Sequence, residues 1–255
     1  MKKILSLVLA VSLISNLSAQ ITDTTITTTP TSPTKPPKKD WSKVIIDPAG
    51  DHFMMAFTYD NWIGAPDSIK NREGGFSRGL NVAVMLNSPF KSDPRWSVAF
   101  GVGVSNSNIF FKKTNVDLKS TSRLLPFTPT DSTDHFKKYK LATTFVEIPI
   151  ELRYTANPLE QKKSWKIALG VKVGTMINNH TKGKTLENKN NVTINQYTEK
   201  IAKRTYFNSL RLASTLRVGI GNFSVFGSYS ITTLIKEVAG PAVRPYQIGL
   251  CISGL

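Results

Sequence analysis

Residues 96–105 read Trp-Ser-Val-Ala-Phe-Gly-Val-Gly-Val-Ser, and every second position from Trp96 to Val104 is large and apolar. The intervening Ser97, Ala99, Gly101, Gly103 and Ser105 are small. In an extended chain these two sets occupy opposite faces. The small face cannot build an ordinary core, so the apolar face must meet a solvent other than water. Residues 165–174 repeat the pattern, setting Trp165, Ile167, Leu169, Val171 and Val173 against Lys166, Ala168, Gly170, Lys172 and Gly174. Residues 210–220 repeat it again and place Arg211 and Arg217 opposite Leu210, Leu212, Leu216, Val218 and Ile220. Charges inside and aliphatic side chains outside describe a barrel bathed in lipid.

Eight such segments follow one another, at 53–63, 76–86, 95–110, 139–154, 164–177, 205–220, 223–234 and 244–254. Each reaches the about 9–11 residues that a tilted strand needs to cross a bilayer. The expected fold is all-β, an eight-stranded antiparallel up-and-down transmembrane β-barrel behind a disordered N-terminal tether. The connections 87–94, 155–163 and Gly221-Asn222 are short, whereas 64–75, 111–138, 178–204 and 235–243 are mostly longer. That alternation puts the short turns and both chain ends in the periplasm and the long loops outside. Phe53, Trp96, Tyr154, Trp165 and Phe223 then form an aromatic rim at the periplasmic interface, with Tyr59, Phe76, Phe110 and Tyr246 at the other. A filled soluble barrel is excluded, because it holds only about twelve interior side chains. A β-sandwich has the volume but no need of aromatics at its strand ends. Pro149 lies inside the fourth segment, where it predicts a bulge or a lost ladder bond.

Upstream of the barrel the composition changes twice. Lys2 and Lys3 precede the apolar run 4–14, and Ser18-Ala19-Gln20 ends it in small residues, so 1–19 reads as a secretory signal peptide. Residues 20–50 are rich in Thr, Pro and Lys and read as a periplasmic tether, leaving 51–255 for one barrel domain. No cysteine follows the leader to accept a lipid anchor, and the lone Cys251 cannot form an internal disulfide. The formal charge of +16 invites a nucleic-acid partner, but export argues against one. The excess is also dispersed. Residues 112–138 carry six Lys or Arg against three Asp, and 178–203 carry five against two Glu. Basic loops beside a membrane fit anionic headgroups, lipopolysaccharide included.

Three stretches carry a family likeness: Phe-Val-Glu-Ile-Pro-Ile-Glu-Leu-Arg-Tyr at 145–154, residues 217–234, and Tyr-Gln-Ile-Gly-Leu-Cys-Ile-Ser-Gly-Leu at 246–255. Together they resemble the outer-membrane β-barrel domain family of Bacteroidetes-type bacteria, often called PorT-like. The likeness runs over about 51–255 and rests on barrel construction, with no reactive group in its motifs. It implies an outer-membrane barrel and, for members resembling PorT itself, association with a protein-secretion apparatus.

The inward face gathers Asp60, Glu147, Glu151, Arg153, Lys166, Lys172, Arg211 and Arg217. In a narrow lumen such groups must pair, since an unpartnered buried charge is very costly. If Arg153 lies opposite Lys166, stepping along both strands sets Glu147 opposite Lys172. Paired carboxylates amid arginines suit salt bridging better than proton transfer. His52, His135 and His180 have no ligand spacing, so neither a metal nor a cofactor is expected. The leading expectation is therefore a non-catalytic membrane anchor or accessory subunit, with outer-membrane lipid and a periplasmic or outer-membrane protein as partners and no nucleic acid. A surface lipid-modifying or hydrolytic barrel enzyme is the alternative, with His180 in a loop-borne site, and a narrow ion-conducting channel comes third.

Overall fold

The computed structural model describes residues 52–254. The expected leader and tether lie outside the described residues, as do Asp51 and Leu255. The described chain opens with β1 (Phe53–Ile63), α1 (Asp67–Lys70), β2 (Arg78–Pro89), β3 (Trp96–Phe111), β4 (Thr114–Val116) and β5 (Phe127–Pro129). It continues with β6 (His135–Thr155), β7 (Trp165–Glu187), β8 (Thr193–Ile201), β9 (Leu210–Ile220), β10 (Phe223–Ser230) and β11 (Arg244–Ser253).

Eight strands form a closed antiparallel ring in the order β1, β2, β3, β6, β7, β9, β10, β11, and β11 returns to β1. Closure leaves no free ladder edge within the ring, the condition for burying strands in lipid. Short connections gather at one end, between β2 and β3, β6 and β7, and β9 and β10, where Gly221 supplies the positive φ of +59° that the tightest turn requires. The four longer connections gather at the other end. Large aliphatics stay exposed around the wall, among them Val102, Ile148, Leu169, Val173, Leu216 and Leu250. Soluble monomers rarely expose a contiguous apolar surface of more than about a few hundred Å².

The strands are not confined to the expected lengths. β6 and β7 run for 21 and 23 residues, β6 starting four residues before 139 and β7 continuing ten past 177, and rise well beyond the apolar wall. Residues 111–138 and 178–204, expected as loops, hold the hairpin β4–β5 and the strand β8, which extends β7 outside the ring.

The polarity of β6 and β7 reverses along their length. Toward the short turns the inward residues are Glu147, Glu151, Arg153 and Lys172 and the outward ones aliphatic; beyond Phe145 and Met176 the inward residues include Tyr139 and Leu141, and the outward ones Lys138, Lys140, Lys182 and Lys184. An extra residue in β7 makes this possible. Phe145 pairs with Met176 but Thr144 with Asn178, so Ile177 is inserted and the alternation changes phase. Without it Lys182 and Lys184 would turn into the apolar interior.

Pro149 has the second of its two expected consequences. The β3–β6 register runs from Phe100↔Ile150 to Gly103↔Glu147 with no pairing at Gly101 or Val102, a gap in the ladder on the proline's unprotonated side. The bulge lies instead at Thr144/Phe145, five residues away.

The upper interior is an ordinary hydrophobic core. Trp62, Ile109, Phe111, Leu141, Phe145 and Met176 from the strands meet Val116, Leu118, Phe207, Ile235 and Val243 from the connections. Several polar atoms of this cap find partners in neighbouring connections. The Tyr139 hydroxyl donates to Asn115 Oδ1 at 2.8 Å and accepts from the Val116 amide at 3.1 Å, while the Tyr206 hydroxyl bonds the Ser120 carbonyl at 2.7 Å. The Leu125 amide reaches the Ala239 carbonyl at 2.8 Å and Asn208 Nδ2 the Thr233 carbonyl at 2.9 Å, tying separate connections together.

Candidate functional site

Below the cap the lumen is occupied by charge. Glu147 Oε2 lies 2.8 Å from Lys172 Nζ, and Glu147 Oε1 lies 3.1 Å from Arg211 Nη1. One level nearer the short turns, Glu151 Oε2 accepts from Arg153 Nε at 2.9 Å and from Arg217 Nη2 at 3.0 Å. All six side chains are buried. Each level is a carboxylate between two cations, so removing the carboxylate leaves two buried cations without the charge that balances them.

Glycines make these levels possible. Gly174 stands between Glu147 and Arg211 in one cross-strand row, and Gly170 stands beside Glu151. A Cβ on Gly174 would come within 2.6 Å of Glu147 Cγ, and one on Gly170 within 2.8 Å of Glu151 Cγ. The missing methyl lets each glutamate lie across its neighbour strand to reach the arginine beyond.

The expected register does not hold. Arg153 pairs with Ala168 and Lys166 with Thr155, so Glu147 faces Gly174 and Lys172 faces Pro149. The two strands are offset by two residues from the expected alignment, because the turn of 156–164 closes one residue further along each strand. Glu147 and Lys172 still meet, diagonally, through the length of the lysine. Lys166 lies nearer the short turns, opposite Thr155. It is half-buried at the mouth, where with Arg153, Arg217 and Ser253 it lines a cavity of ≈ 10 Å³. That is room for about one water molecule.

Asp60 sits apart from the glutamates and is held by neutral donors, the Thr58 hydroxyl at 2.6 Å and Gln247 Nε2 at 2.9 Å. Sequence reasoning missed this second tier of partners. Arg217 Nη1 donates to Ser253 Oγ at 2.9 Å, Arg153 Nη2 contacts Met85 Sδ at 3.1 Å, and the Phe226 and Phe145 rings lie beneath the cations of Lys172 and Arg211 at 5.6 and 5.1 Å. Inward parity was a signal for Ser253, Met85 and Phe226, but nothing local marked them as partners of charges several strands away.

The five rim aromatics lie at the short-turn end, with Trp165 and Phe223 strongly exposed. Trp96 and Tyr154 are direct cross-strand partners with ring centroids 5.0 Å apart. His52 precedes β1, His135 opens β6 and His180 lies within β7 rather than in a loop; His135 is fastened to Asn191 Oδ1 at 3.2 Å. Among the described residues no group of three His, Cys, Asp or Glu side chains is placed to hold a metal ion.

The sequence model of the family described as "Outer membrane protein beta-barrel domain" matches residues 52–235. No curated protein matches the chain. Among solved structures, Ail, the attachment invasion locus protein of Yersinia pestis, is similar at 13% identity over 78% of this chain and 95% of that one, with a TM-score of 0.34 in its complex with the heparin analogue sucrose octasulfate. A second structure of Ail has the same identity and coverage, with a TM-score of 0.29.

Proposed function

The chain belongs to the outer membrane protein beta-barrel domain family, and from that premise we propose that it is a sealed, non-catalytic barrel serving as a membrane anchor or accessory subunit. The observation that carries this reading is the doubly closed interior, with two ion-pair levels below and an apolar cap above. A barrel of eight strands is just wide enough to be filled by its own side chains, and here each half is filled. Both lumen glutamates are buried and already occupied by two cations each, so neither is presented to a substrate.

In this proposal the long-loop end faces the exterior and the short turns face the periplasm, the usual disposition of such barrels. The Thr-, Pro- and Lys-rich segment before the barrel would then reach a periplasmic partner, and the likeness to PorT-like barrels supports an envelope or secretion assembly as its setting. The basic, folded connections would form the outer surface.

Planar-bilayer recording tests the seal. The purified protein is expected to give no single-channel steps, and Arg217→Ala together with Glu151→Ala to introduce small ones; steady conductance of the unaltered protein would overturn the reading. Cross-linking in native outer membranes followed by mass spectrometry is expected to recover a stoichiometric protein partner. A deletion strain whose outer-membrane lipids change covalently would favour an enzyme instead.

A further inference from the structure

Outside the barrel, just beyond the apolar wall, the side chains change in ordered steps. The rung Val82, Val104, Val146 is aliphatic; the next carries Leu80, Asn106, Thr144 and Asn178, with Asn106 and Thr144 joined at 2.9 Å; the next carries Arg78, Asn108, Ala142 and His180; the last carries Phe110, Lys140, Lys182 and Lys200. These residues are direct cross-strand neighbours on β2, β3, β6, β7 and β8. The sequence hydrocarbon, amide, cation is that of a lipid from its chains to its headgroup.

The cations oppose one another. Lys138 faces Lys184, Lys140 faces Lys182, and Lys182 faces Lys200. Like charges directly opposite destabilise a sheet, and three such pairs stand side by side. Among the described residues none of these five lysines, nor Arg78, forms an ion pair. Two of the nearby acids are engaged or turned away: Lys137 holds Glu187 at 3.2 Å, and strand alternation sends Glu199 to the face opposite Lys200. Elsewhere the ring is shorter: β9 stops pairing with β7 at Leu210↔Thr175, seven residues before Lys182, and the ends of β10 and β11 carry Tyr229, Tyr246 and the cation Arg244. The opposed lysines all stand on the β6, β7 and β8 side of the ring, which a uniform lipid annulus does not require.

Beside the lysines lie two adjoining grooves. The lower, of ≈ 530 Å³, runs over Phe57, Leu80, Ile248 and Leu250 up to Arg78 and Lys140. The upper, of ≈ 320 Å³, is lined by Arg78, Lys112, Lys137 and Lys138, and both share Phe76 and Phe110. Arg78 and Lys140 flank the Phe110 ring at 5.4 and 5.8 Å, and Lys140 Nζ donates to Asn108 Oδ1 at 2.7 Å. Cations are thereby fixed above an apolar trough.

We propose that this face binds a phosphorylated glycolipid of the outer leaflet, its phosphates on Arg78, Lys138, Lys140 and Lys182 and an acyl chain in the trough below. The site rests on the orientation proposed above. Phosphate between opposed lysines converts three repulsive pairs into bridged ones, and the trough selects an anion that carries a hydrocarbon tail.

The test uses the full chain, delipidated in detergent and titrated with bis-phosphorylated lipid A, with the same lipid after enzymatic dephosphorylation, and with inorganic phosphate. Phosphorylated lipid A should bind at least about tenfold more tightly than the dephosphorylated form, and millimolar inorganic phosphate should not displace it. Combining Lys138→Gln, Lys140→Gln and Lys182→Gln should weaken binding by about tenfold or more, whereas Lys119→Gln, Lys189→Gln and Lys203→Gln, equal in charge, should not. Lys182→Gln alone should raise the temperature of the gel-mobility transition in delipidated protein and shrink the increase that lipid A produces, a crossing that a purely structural lysine does not give. Equal affinity for the two lipids, equal binding by the two triple variants, or ready displacement by inorganic phosphate overturns the site. Binding in detergent is blind to orientation, so a failed titration counts against the site and whole-cell labelling alone against the orientation.

Discussion

Between Arg153 and Glu147 the interior of the barrel is held by ion pairs, whereas from Phe145 upward it is held by Phe145, Leu141, Tyr139 and the apolar side chains that the connections fold over them. The two regions share the same strands, β6 and β7, and differ in what lies outside the wall. Where lipid surrounds it, the aliphatic residues satisfy the hydrophobic effect on the outer face and the inner face is free to carry charge. Where water surrounds it, the usual rule returns, and lysines move outward as aromatics and aliphatics move in. The change of phase at Ile177 converts one regime into the other within a single strand.

The sharpest way to break the comparison is to remove a charge from the lower region. Glu151→Ala leaves Arg153 and Arg217 buried without their carboxylate, and a loss of about 3–5 kcal/mol is expected, read as a lower denaturant midpoint for the gel-mobility shift. Glu147→Gln should behave alike, and combined with Lys172→Met should cost less than the sum of the two. Strict additivity would separate the residues energetically in spite of their 2.8 Å contact.

An apolar truncation above should act locally. Ile235 is fully buried in the cap, and Ile235→Ala is expected to cost about 2–5 kcal/mol there, seen as faster proteolysis of the long connections. The barrel's own gel-mobility transition should stay in place. A fall in that transition equal to the Glu151→Ala effect would mean that cap and lumen unfold as one unit.

Gly174→Ala probes the space between the rows. The new methyl would meet Glu147 Cγ at 2.6 Å and the Val146 carbonyl oxygen at 2.7 Å, so about 1–3 kcal/mol of overpacking is expected. Pairing it with Glu147→Ala should relieve part of that loss. No relief would place the strain in the backbone alone.

The smallest effect lies at the edge of the cap. Burial pushes the Glu73 carboxyl up to about 7, against the opposing pull of Lys70, and its Oε1 is buried without a hydrogen bond among the described residues. The unfolded carboxyl titrates near about 4.3, so between that value and 7 the folded loop holds a proton that the unfolded loop has released. Stability of this loop therefore falls as pH rises through that window. Amide exchange at Gly74 and Lys112, which bond to Phe110 and Arg72 at 2.7 and 2.8 Å, should be slower at pH 5 than at pH 8 after correction for intrinsic rates. Glu73→Gln should abolish the difference.

Much of the barrel was legible because its evidence is local. Alternation in 96–105, 165–174 and 210–220 marks the wall, and the segment 53–63 coincides with β1. The first four residues of β6 and the upper part of β7, 178–187, were read as loops for a physical reason: their lysines alternate with Thr, Gly and Tyr, a pattern that no lipid-facing rule recognises and that only makes sense against a water-bathed core. The register failed by two residues because a turn of several residues can close at more than one point, and nothing in 156–164 marks the choice.

Residue chemistry by itself determined that eight segments turn aliphatics one way and small or charged groups the other, since side-chain direction in an extended chain follows from its period of two. Which charges meet was decided only by closure of the ring. Glu147 reaches Arg211 because Gly174 lies between them in one row, and Glu151 reaches Arg217 across the lumen from a strand more than sixty residues away in sequence. The opposed lysines of the outer face were likewise invisible along the chain, because cross-strand neighbours are set by register, a property of pairs of strands that neither strand carries alone.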